Sequence, residues 1–170
     1  GNPAEAREYY RQALAFFEKE GKHDAIANLA ERLGEVYRQL GTHGEALEAF
    51  RKGLDICRAH HDRLGIAHFS ERLGLVHRSL NDFDAAMACF REALTFFERH
   101  RVADRVAFVL AGIGDLHYKT GRPRDALDYL GRALAIYRRL GARTPADLIS
   151  AQITALDEML GEEKKHEEPL

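Results

Sequence analysis

Apolar residues recur along the chain with the period of an α-helix and change phase at regular intervals. The first clear stripe comprises Leu33, Val36, Tyr37 and Leu40. These positions are i, i+3, i+4 and i+7, which lie on one face of a helix, and Gly41 then predicts the end of that helix. A second stripe comprises Ala46, Leu47, Phe50, Gly53, Leu54 and Cys57. The pattern predicts two helices joined by a tight turn, which is a helical hairpin.

The hairpin recurs with a period of 40 residues. An aliphatic residue before a glycine recurs at Leu33–Gly34, Leu73–Gly74 and Ile113–Gly114. In the second helix, small residues recur at 46, 86 and 126 and at 53, 93 and 133, with bulky residues at 50, 90 and 130. A glycine inside a helix costs about 1 kcal/mol relative to alanine. We therefore expect the repeated glycine to let the partner helix approach closely, and the bulky residue to fill the space.

This pattern resembles the tetratricopeptide repeat (TPR), in which Leu-Gly and an aromatic residue mark the first helix. The residues that carry the resemblance are Leu33, Gly34, Tyr37, Ala46, Phe50 and Gly53, with their counterparts in the later copies. The unit is longer than the roughly 34 residues of most such repeats. Arg58, Glu98 and Arg138 also replace the proline that usually closes the second helix. The resemblance implies an all-α fold, a right-handed α-solenoid of TPR-like helical hairpins with about eight helices.

The repeat register divides the chain into six segments. They are 1–22 (helix B of a truncated repeat), 23–61, 62–101 and 102–143 (TPR-like repeats), 144–160 (a C-terminal capping helix) and 161–170 (a disordered charged tail). The partial first repeat predicts that the chain is a piece of a longer protein. Thr144, Pro145 and Asp147 predict the start of the capping helix.

Composition narrows the classes of function. The formal net charge is −2, so nothing in the balance of charge points to nucleic acid or to an anionic membrane surface. No apolar run approaches the roughly 20 residues that span a bilayer. Cys57 and Cys89 lie singly within apolar helical patterns, which predicts reduced packing cysteines in a cytoplasmic protein.

The first helices of TPR-like arrays line a concave groove in which partners lie, so the resemblance implies a groove that binds a protein or peptide. The residues expected to face it are Asn28, Glu31, Glu35, Arg38, His68, Glu71, Leu75, Arg78, Phe108, Asp115 and Tyr118. Arg38 and Arg78 occupy equivalent positions, from which guanidinium groups can grip carboxylates. The alternative is that these charges only form surface ion pairs. Glu31 and Glu35 argue against the carboxylate clamp of chaperone-binding TPR domains, because they would repel a terminal carboxylate.

The sequence contains no phosphate loop and no G-x-S-x-G, so we expect no enzyme activity. His60, His61 and His68 are close in sequence, but the first two fall at a turn, and we expect neither a metal site nor a cofactor. His77 and His117 take the place of Tyr37 and are predicted to be partly buried.

We therefore predict a protein–protein interaction scaffold. One alternative is a regulatory sensor domain for a small ligand or signalling peptide. Another is self-association through the apolar first helix, which contains Tyr9, Phe16 and Phe17.

Overall fold

The structure is a computed structural model that describes the backbone of residues 3–167 and the side chains of residues 4–161. The described residues form eight α-helices. Their bounds are α1 (Pro3–Glu20), α2 (His23–Gln39), α3 (His43–Ala59), α4 (Arg63–Ser79), α5 (Phe83–Arg99), α6 (Ala103–Lys119), α7 (Pro123–Arg139) and α8 (Arg143–Glu167). Sequence-adjacent helices pack against each other from α1 to α5 in the first part of the chain and from α6 to α8 in the second, so the predicted all-α hairpin-repeat fold is confirmed. We call α2, α4 and α6 the A helices and α1, α3, α5 and α7 the B helices.

The turns between helices recur every 20 residues and are built in the same way. In the first complete hairpin, the N–H of Thr42 donates to the carbonyl of Tyr37 at 3.0 Å and that of Gly41 to Arg38 at 3.2 Å. This closing pattern requires a residue with left-handed backbone, and Gly41 supplies it with φ of 74°. The predicted role of Gly41 in ending α2 is confirmed. At three of the described turns, a residue other than glycine takes this conformation: His61, Asn81 and Arg101.

The repeated glycine of each A helix touches the bulky residue of the B helix that follows it. A Cβ atom on Gly34 would lie 2.5 Å from the ring of Phe50, and one on Gly74 would lie 2.7 Å from the ring of Phe90. In the third copy, a Cβ atom on Gly114 would lie 2.9 Å from Leu130. These distances are shorter than van der Waals contact, so only glycine allows the two helices this separation. The close approach predicted from the sequence is confirmed.

The chain divides into two compact units, Gly1–Phe96 (unit 1) and Phe97–Leu170 (unit 2). The core of unit 1 includes Leu33, Phe50, Phe69, Leu73 and Val76, all nearly inaccessible to solvent. In unit 2, α6 and α7 bury Val109, Leu110, Ile113, Leu116 and Leu130. Helix α8 packs against α7 and contributes the buried side chains of Ile149 and Leu156.

The C-terminal end differs from the sequence prediction. Helix α8 does not end at residue 160 but continues through Gly161 to Glu167, so residues 161–167 of the predicted disordered tail are helical. Residues 162–167 are glutamate, lysine and one histidine. Glutamate and lysine favour helix, and their propensity outweighs the cost of about 1 kcal/mol for one internal glycine. Residues 168–170 of that tail lie outside the described residues.

Candidate partner-binding site

The outer face of α2 carries a two-point ion pair between two of the predicted groove residues. The Nε atom of Arg38 donates to Oε2 of Glu35 at 3.0 Å, and its terminal nitrogen donates to Oε1 at 2.6 Å. The two side chains are 36% and 30% exposed, so the pair lies at the surface without being fully solvated. This fork-to-carboxylate geometry is the one by which arginine recognises carboxylates in general.

Each partner of this pair stabilises the charge of the other. The hydrogen bonds from Arg38 hold the pKa of Glu35 below its usual value, and those to Glu35 raise the pKa of Arg38. Both groups are therefore charged at neutral pH. A carboxylate from a partner would have to share the guanidinium of Arg38 with Glu35.

A second ion pair joins α2 to α4 and involves a residue that the sequence analysis missed. Arg72 lies 3.7 Å from Glu31 and also helps to lower the pKa of Glu35. The position of Arg72 was not assigned to the groove, but its side chain is long enough to reach Glu31. The sequence feature that could have indicated Arg72 is its position. Arg72 lies in α4 one repeat after Arg32, which is next to the acidic Glu31 of α2. The A-helix face of unit 1 is therefore a mixed-charge cluster, which we define as Glu31, Glu35, Arg38 and Arg72.

Two predicted groove residues of α4 are not at the surface. Glu71 is fully buried and Leu75 is only 8% exposed. The repeat register grouped these two positions with their neighbours, but it gave no information on how deeply the middle of α4 is covered. Neither side chain is accessible to a partner in this structure, and we remove both from the proposed surface.

The remaining predicted residues of unit 1 are at least partly accessible. Asn28 is exposed, and its side-chain amide donates to the carbonyl of Asp24 in the same helix at 2.9 Å. His68 and Arg78 are half-buried. These three residues are on the same helices, α2 and α4, as the charged cluster.

The A-helix face of unit 2 has a different character. Phe108 and Tyr118 of α6 are 37% and 49% exposed. Between them along the helix, Asp115 forms an ion pair with Lys119 at 3.6 Å. A cavity of about 200 Å³ opens beside this helix. It is lined by Asp115, Tyr118, Leu130, Gln152, Ala155, Leu156 and Met159, from α6, α7 and α8.

The buried histidines serve the packing between helices. His77 is buried at the end of α4 and contacts the carboxylate of Asp82 at 3.0 Å, which in turn accepts the N–H of Ala85 at the start of α5. His117 is buried and stacks on Tyr129, with ring centroids 5.0 Å apart. Both are more deeply buried than the partly buried position predicted for them. Within the part of the chain that the structure describes, no group of three or more histidine, cysteine, aspartate or glutamate residues is arranged to hold a metal ion.

Both cysteines have free thiols. Burial, with a further contribution from the carboxylate of Asp62, raises the pKa of Cys57 to about 11. Burial also raises the pKa of Cys89. Thiols with raised pKa values are poor nucleophiles at neutral pH, so these residues pack rather than react.

The sequence profile of the tetratricopeptide repeat family matches residues 1–59 and 65–139, which is most of the chain. The chain belongs to the tetratricopeptide repeat family. No curated protein sequence gives a significant match. Among residues 3–167, no helix is both long enough and apolar enough to cross a membrane.

Several solved structures share this TPR fold. BtubC (BKLC) from P. vanneervenii is 21% identical, with a TM-score of 0.72 over 95% of this chain and 75% of that one. Aspartyl phosphate phosphatase F from Bacillus subtilis is 17% identical, with a TM-score of 0.73 over 92% of this chain and 44% of that one. The Rap conjugation gene regulator of plasmid pLS20, solved with the Phr* peptide, is 19% identical, with a TM-score of 0.59 over 95% of this chain and 53% of that one. At these identities the likeness concerns the fold alone.

The long TPR unit replaces the usual closing proline with charged residues that form ion pairs. Arg58 lies 3.4 Å from Glu92 of the next B helix. Glu98, in the equivalent position one repeat later, lies 3.3 Å from Arg132. At these two positions, the residue in place of the proline contacts the B helix that follows.

Proposed function

We propose that this TPR chain is a protein–protein interaction scaffold that binds a peptide or helix of a partner on its A-helix faces. The observation that carries the proposal is the cluster of Glu31, Glu35, Arg38 and Arg72, where two-point hydrogen bonding is already present at a partly exposed surface. Proteins of this family are generally non-catalytic scaffolds. The structurally similar Rap regulator was solved with its Phr* peptide bound. The free thiols of Cys57 and Cys89 support a reducing, cytoplasmic location.

The proposed binding residues, taken for each unit by itself, are nine of those predicted from the sequence, together with Arg72 of unit 1. The nine are Asn28, Glu31, Glu35, Arg38, His68, Arg78, Phe108, Asp115 and Tyr118. Because surface ion pairs are worth only about 0–1 kcal/mol, a partner carboxylate can exchange with Glu35 at little cost. Arg38 and Arg78, at equivalent positions of α2 and α4, then favour a partner segment with acidic residues.

The proposal is tested by selecting binders from a random peptide library displayed on phage and measuring their affinities by fluorescence polarisation. We expect a variant with Arg38→Glu and Arg78→Glu to bind acidic peptides about tenfold or more weakly. Its matched control carries Arg51→Glu and Arg91→Glu, the same change of charge at exposed, equivalent positions of α3 and α5. Circular dichroism checks that both variants remain helical.

Three results of this experiment bear on the proposal. Weaker binding by the A-helix variant alone supports it. If both variants bind the peptides equally weakly, the loss of affinity is explained by net charge alone, which contradicts a specific site on the A helices. Peptides that lose affinity only for the control variant would move the site to the B helices.

A second candidate function is a regulatory sensor domain that binds a small ligand or signalling peptide. The peptide complex of the Rap regulator favours the signalling-peptide form, and the cavity of about 200 Å³ in unit 2 restricts the small-ligand form to ligands below the size of a typical drug. The chain spans 44% of the phosphatase and 53% of the regulator. A small-molecule ligand present at about 100 times its Kd should stabilise the fold by about 2.7 kcal/mol, which thermal unfolding with a metabolite panel would detect. Unchanged unfolding temperatures across the panel would count against the small-ligand form.

A further inference from the structure

One end of unit 2 carries a cluster of exposed arginines. Helices α6 and α7 have 17 residues each and form an antiparallel hairpin, so the start of α6 lies beside the end of α7. An ion pair at 3.3 Å between Glu98, at the end of α5, and Arg132 of α7 also holds these segments together. The turns before α6 and after α7, with the helix ends next to them, contain five exposed arginines. We call them the arginine cluster, and they are Arg99, Arg101, Arg138, Arg139 and Arg143.

This end of unit 2 keeps a positive charge after its ion pairs are counted. Residues 98–105 and 138–147 contain six arginines and three carboxylates. Glu98 pairs with Arg132, and Asp104 pairs with Arg105 at 3.7 Å. Within the described part of the chain, no arginine of the cluster has an ion pair, and neither does Asp147. Five arginines and one carboxylate leave a net charge of +4 with histidine neutral, which the formal charge of −2 for the whole chain conceals.

The helix dipoles account for only part of the cluster. Arg99, Arg138 and Arg139 lie in the last turns of α5 and α7, where a positive charge is favourable. Arg101 lies in a turn, outside any helix, and Arg143 is the first residue of α8, where the positive end of the helix disfavours an arginine. The packing and dipoles of the helices therefore give no reason for these two arginines.

The backbone at Arg101 adds to this observation. Arg101 has a left-handed conformation with φ of 56°, and Gly141 takes the equivalent position with φ of 68° in the next turn of the same kind. Glycine adopts this conformation without strain, whereas a residue with a Cβ atom does not. Because strain of this kind is concentrated at functional sites, it supports a use for the side chain of Arg101.

An exposed leucine lies in the chain among these arginines. Leu140 is the C-cap residue of α7, between Arg139 and Arg143, and its side chain is 47% exposed. The residues at the equivalent positions of the three earlier turns of this kind are Glu20, His60 and His100. An apolar side chain at this position is therefore particular to the turn that carries most of the arginines.

The combination of arginines with a leucine narrows the class of anionic partner. Nucleic acid matches the charge, but its backbone contacts do not need an apolar side chain. An acidic protein segment matches the charge as well, but it needs a groove or a helix face, and the cluster is built on two turns. An anionic membrane matches both features, because headgroup phosphates and carboxylates accept hydrogen bonds from guanidinium groups and the acyl boundary accepts a leucine. Basic clusters of this size are attracted to the negative surface of such membranes.

We propose that the arginine cluster and Leu140 dock unit 2 on the surface of an anionic lipid membrane. The guanidinium groups bind the phosphates and carboxylates of the headgroups, and Leu140 enters the boundary between headgroups and acyl chains. None of the residues of the proposed partner-binding faces takes part. This inference therefore stands or falls independently of the proposed function.

Sedimentation of the whole chain with lipid vesicles gives the main test. The vesicles contain phosphatidylcholine and phosphatidylserine in a ratio of about two to one, or phosphatidylcholine alone. We expect binding to the anionic vesicles only, and binding should weaken with added salt. The variant with Arg139→Glu and Arg143→Glu should bind the anionic vesicles at least about tenfold more weakly, because four units of charge change at the contact.

The matched control for this variant lies at the opposite end of the same hairpin. It carries Arg122→Glu and Arg124→Glu, the same change of charge at exposed positions before and at the start of α7. Helix α7 is about 25 Å long, which exceeds the Debye length of about 10 Å at 0.1 M salt. The control should therefore bind anionic vesicles nearly as well as the wild type. Circular dichroism checks that both variants are helical.

A single substitution separates binding from stability. Arg101→Gly should raise the unfolding temperature, because glycine adopts the left-handed conformation freely. The same substitution should weaken binding to anionic vesicles several-fold, because it removes one positive charge from the contact. A loss of binding in a more stable chain cannot result from misfolding.

The position of Leu140 relative to the lipid can be measured directly. The chain contains no tryptophan, so Leu140→Trp introduces a single fluorescent indole. Its emission should move to shorter wavelength with anionic vesicles, because tryptophan is stable at the interface between headgroups and acyl chains. The matched control is Leu80→Trp, since Leu80 is the C-cap residue of α4 and is 46% exposed. Its emission should not change.

Four results would overturn the proposal. The first is no binding to anionic vesicles by the wild type. The second is an equal loss of binding in both charge-reversed double variants, which would reduce the effect to net charge. The third is an unchanged emission of the Leu140→Trp variant on bound vesicles. The fourth is tighter binding to duplex DNA or polyglutamate than to vesicles, lost in the Arg139→Glu, Arg143→Glu variant, which would assign the cluster to that polyanion instead.

Discussion

Glu98 of α5 and Arg132 of α7 form an ion pair at 3.3 Å, although they are 34 residues apart in sequence. Two other ion pairs between successive B helices have the same separation: Glu18 with Lys52, and Arg58 with Glu92. The order of the charges alternates, because the earlier residue is acidic in the first and third pairs and basic in the second. A B helix displaced by one repeat would bring like charges together. The alternation therefore favours the native order of the helices.

The Glu98–Arg132 pair gives the most direct test of this arrangement. We expect Arg132→Glu to destabilise the chain, because it places two carboxylates together, and we expect the added change Glu98→Arg to restore stability. Exposed ion pairs contribute about 0.2–1 kcal/mol, so the coupling should fall in that range. Urea unfolding of the wild type, both single variants and the double variant measures it. Additive effects of the two changes would show that the pair contributes nothing specific.

The contact between Gly74 and Phe90 predicts opposite effects for two glycine-to-alanine substitutions. Gly74→Ala should destabilise the fold by about 1–3 kcal/mol, because the new Cβ atom would lie 2.7 Å from the ring. Gly131→Ala should instead stabilise it by up to about 1 kcal/mol, because Gly131 is inside α7 and no described atom would lie within 4 Å of its Cβ. Thermal and urea unfolding give both values.

A rescue experiment separates crowding from other effects of Gly74→Ala. Replacing Phe90 with leucine in the Gly74→Ala background should recover part of the lost stability, since the smaller side chain leaves room for the methyl group. In the background of Gly74, the same Phe90→Leu change should be destabilising, because it leaves a space in the core. If Phe90→Leu lowers stability equally in both backgrounds, the clash is not the cause.

The close contacts between successive helices could be predicted from the sequence because they depend on pairs of residues that recur in every repeat. Gly34 and Phe50 recur in register. Because glycine inside a helix is unfavourable, its recurrence indicates that a neighbouring side chain occupies the space of a Cβ atom. The depth at which Glu71 and Leu75 are buried depends on how neighbouring helices cover α4, which the periodicity of a single helix does not encode. The ion pair of Arg72 with Glu31 depends on the rotamer of a long side chain and the distance between two helices, neither of which is fixed by spacing. The cavity beside Asp115 likewise arises from three helices and has no local motif.

The left-handed turn residues provide a way to stabilise the chain without changing its contacts. His61 and Arg101 have φ of 55° and 56°, which is strained for a residue with a Cβ atom. We expect His61→Gly and Arg101→Gly each to raise stability by about 0.5–1 kcal/mol. Asn81→Gly should have a smaller effect, because asparagine tolerates this conformation better. Gly41→Ala is the reverse test and should lower stability; an unchanged unfolding temperature for it would contradict the argument.

The pair of Glu35 and Arg38 predicts a dependence of stability on pH. The hydrogen bonds from Arg38 lower the pKa of Glu35 from its usual value of 4.5, so the folded chain holds this proton less tightly than the unfolded chain. The resulting stabilisation is fully present above about pH 4.5 and is lost as the pH falls through the lowered pKa. Because both side chains are about one-third exposed, solvent screening limits it to roughly 0.5 kcal/mol.

A double-mutant cycle with Glu35→Gln and Arg38→Gln isolates this contribution, and urea unfolding at a series of pH values measures it. The coupling energy should be constant near neutral pH and should fall towards zero as the pH drops through the lowered pKa of Glu35, below which the carboxyl is protonated in both states. High salt should reduce the coupling at neutral pH, because the pair is partly exposed. A coupling that persists unchanged at low pH would mean that the two side chains interact through packing rather than charge. Arg38 would then be held by its contacts and less able to turn towards a carboxylate of the partner.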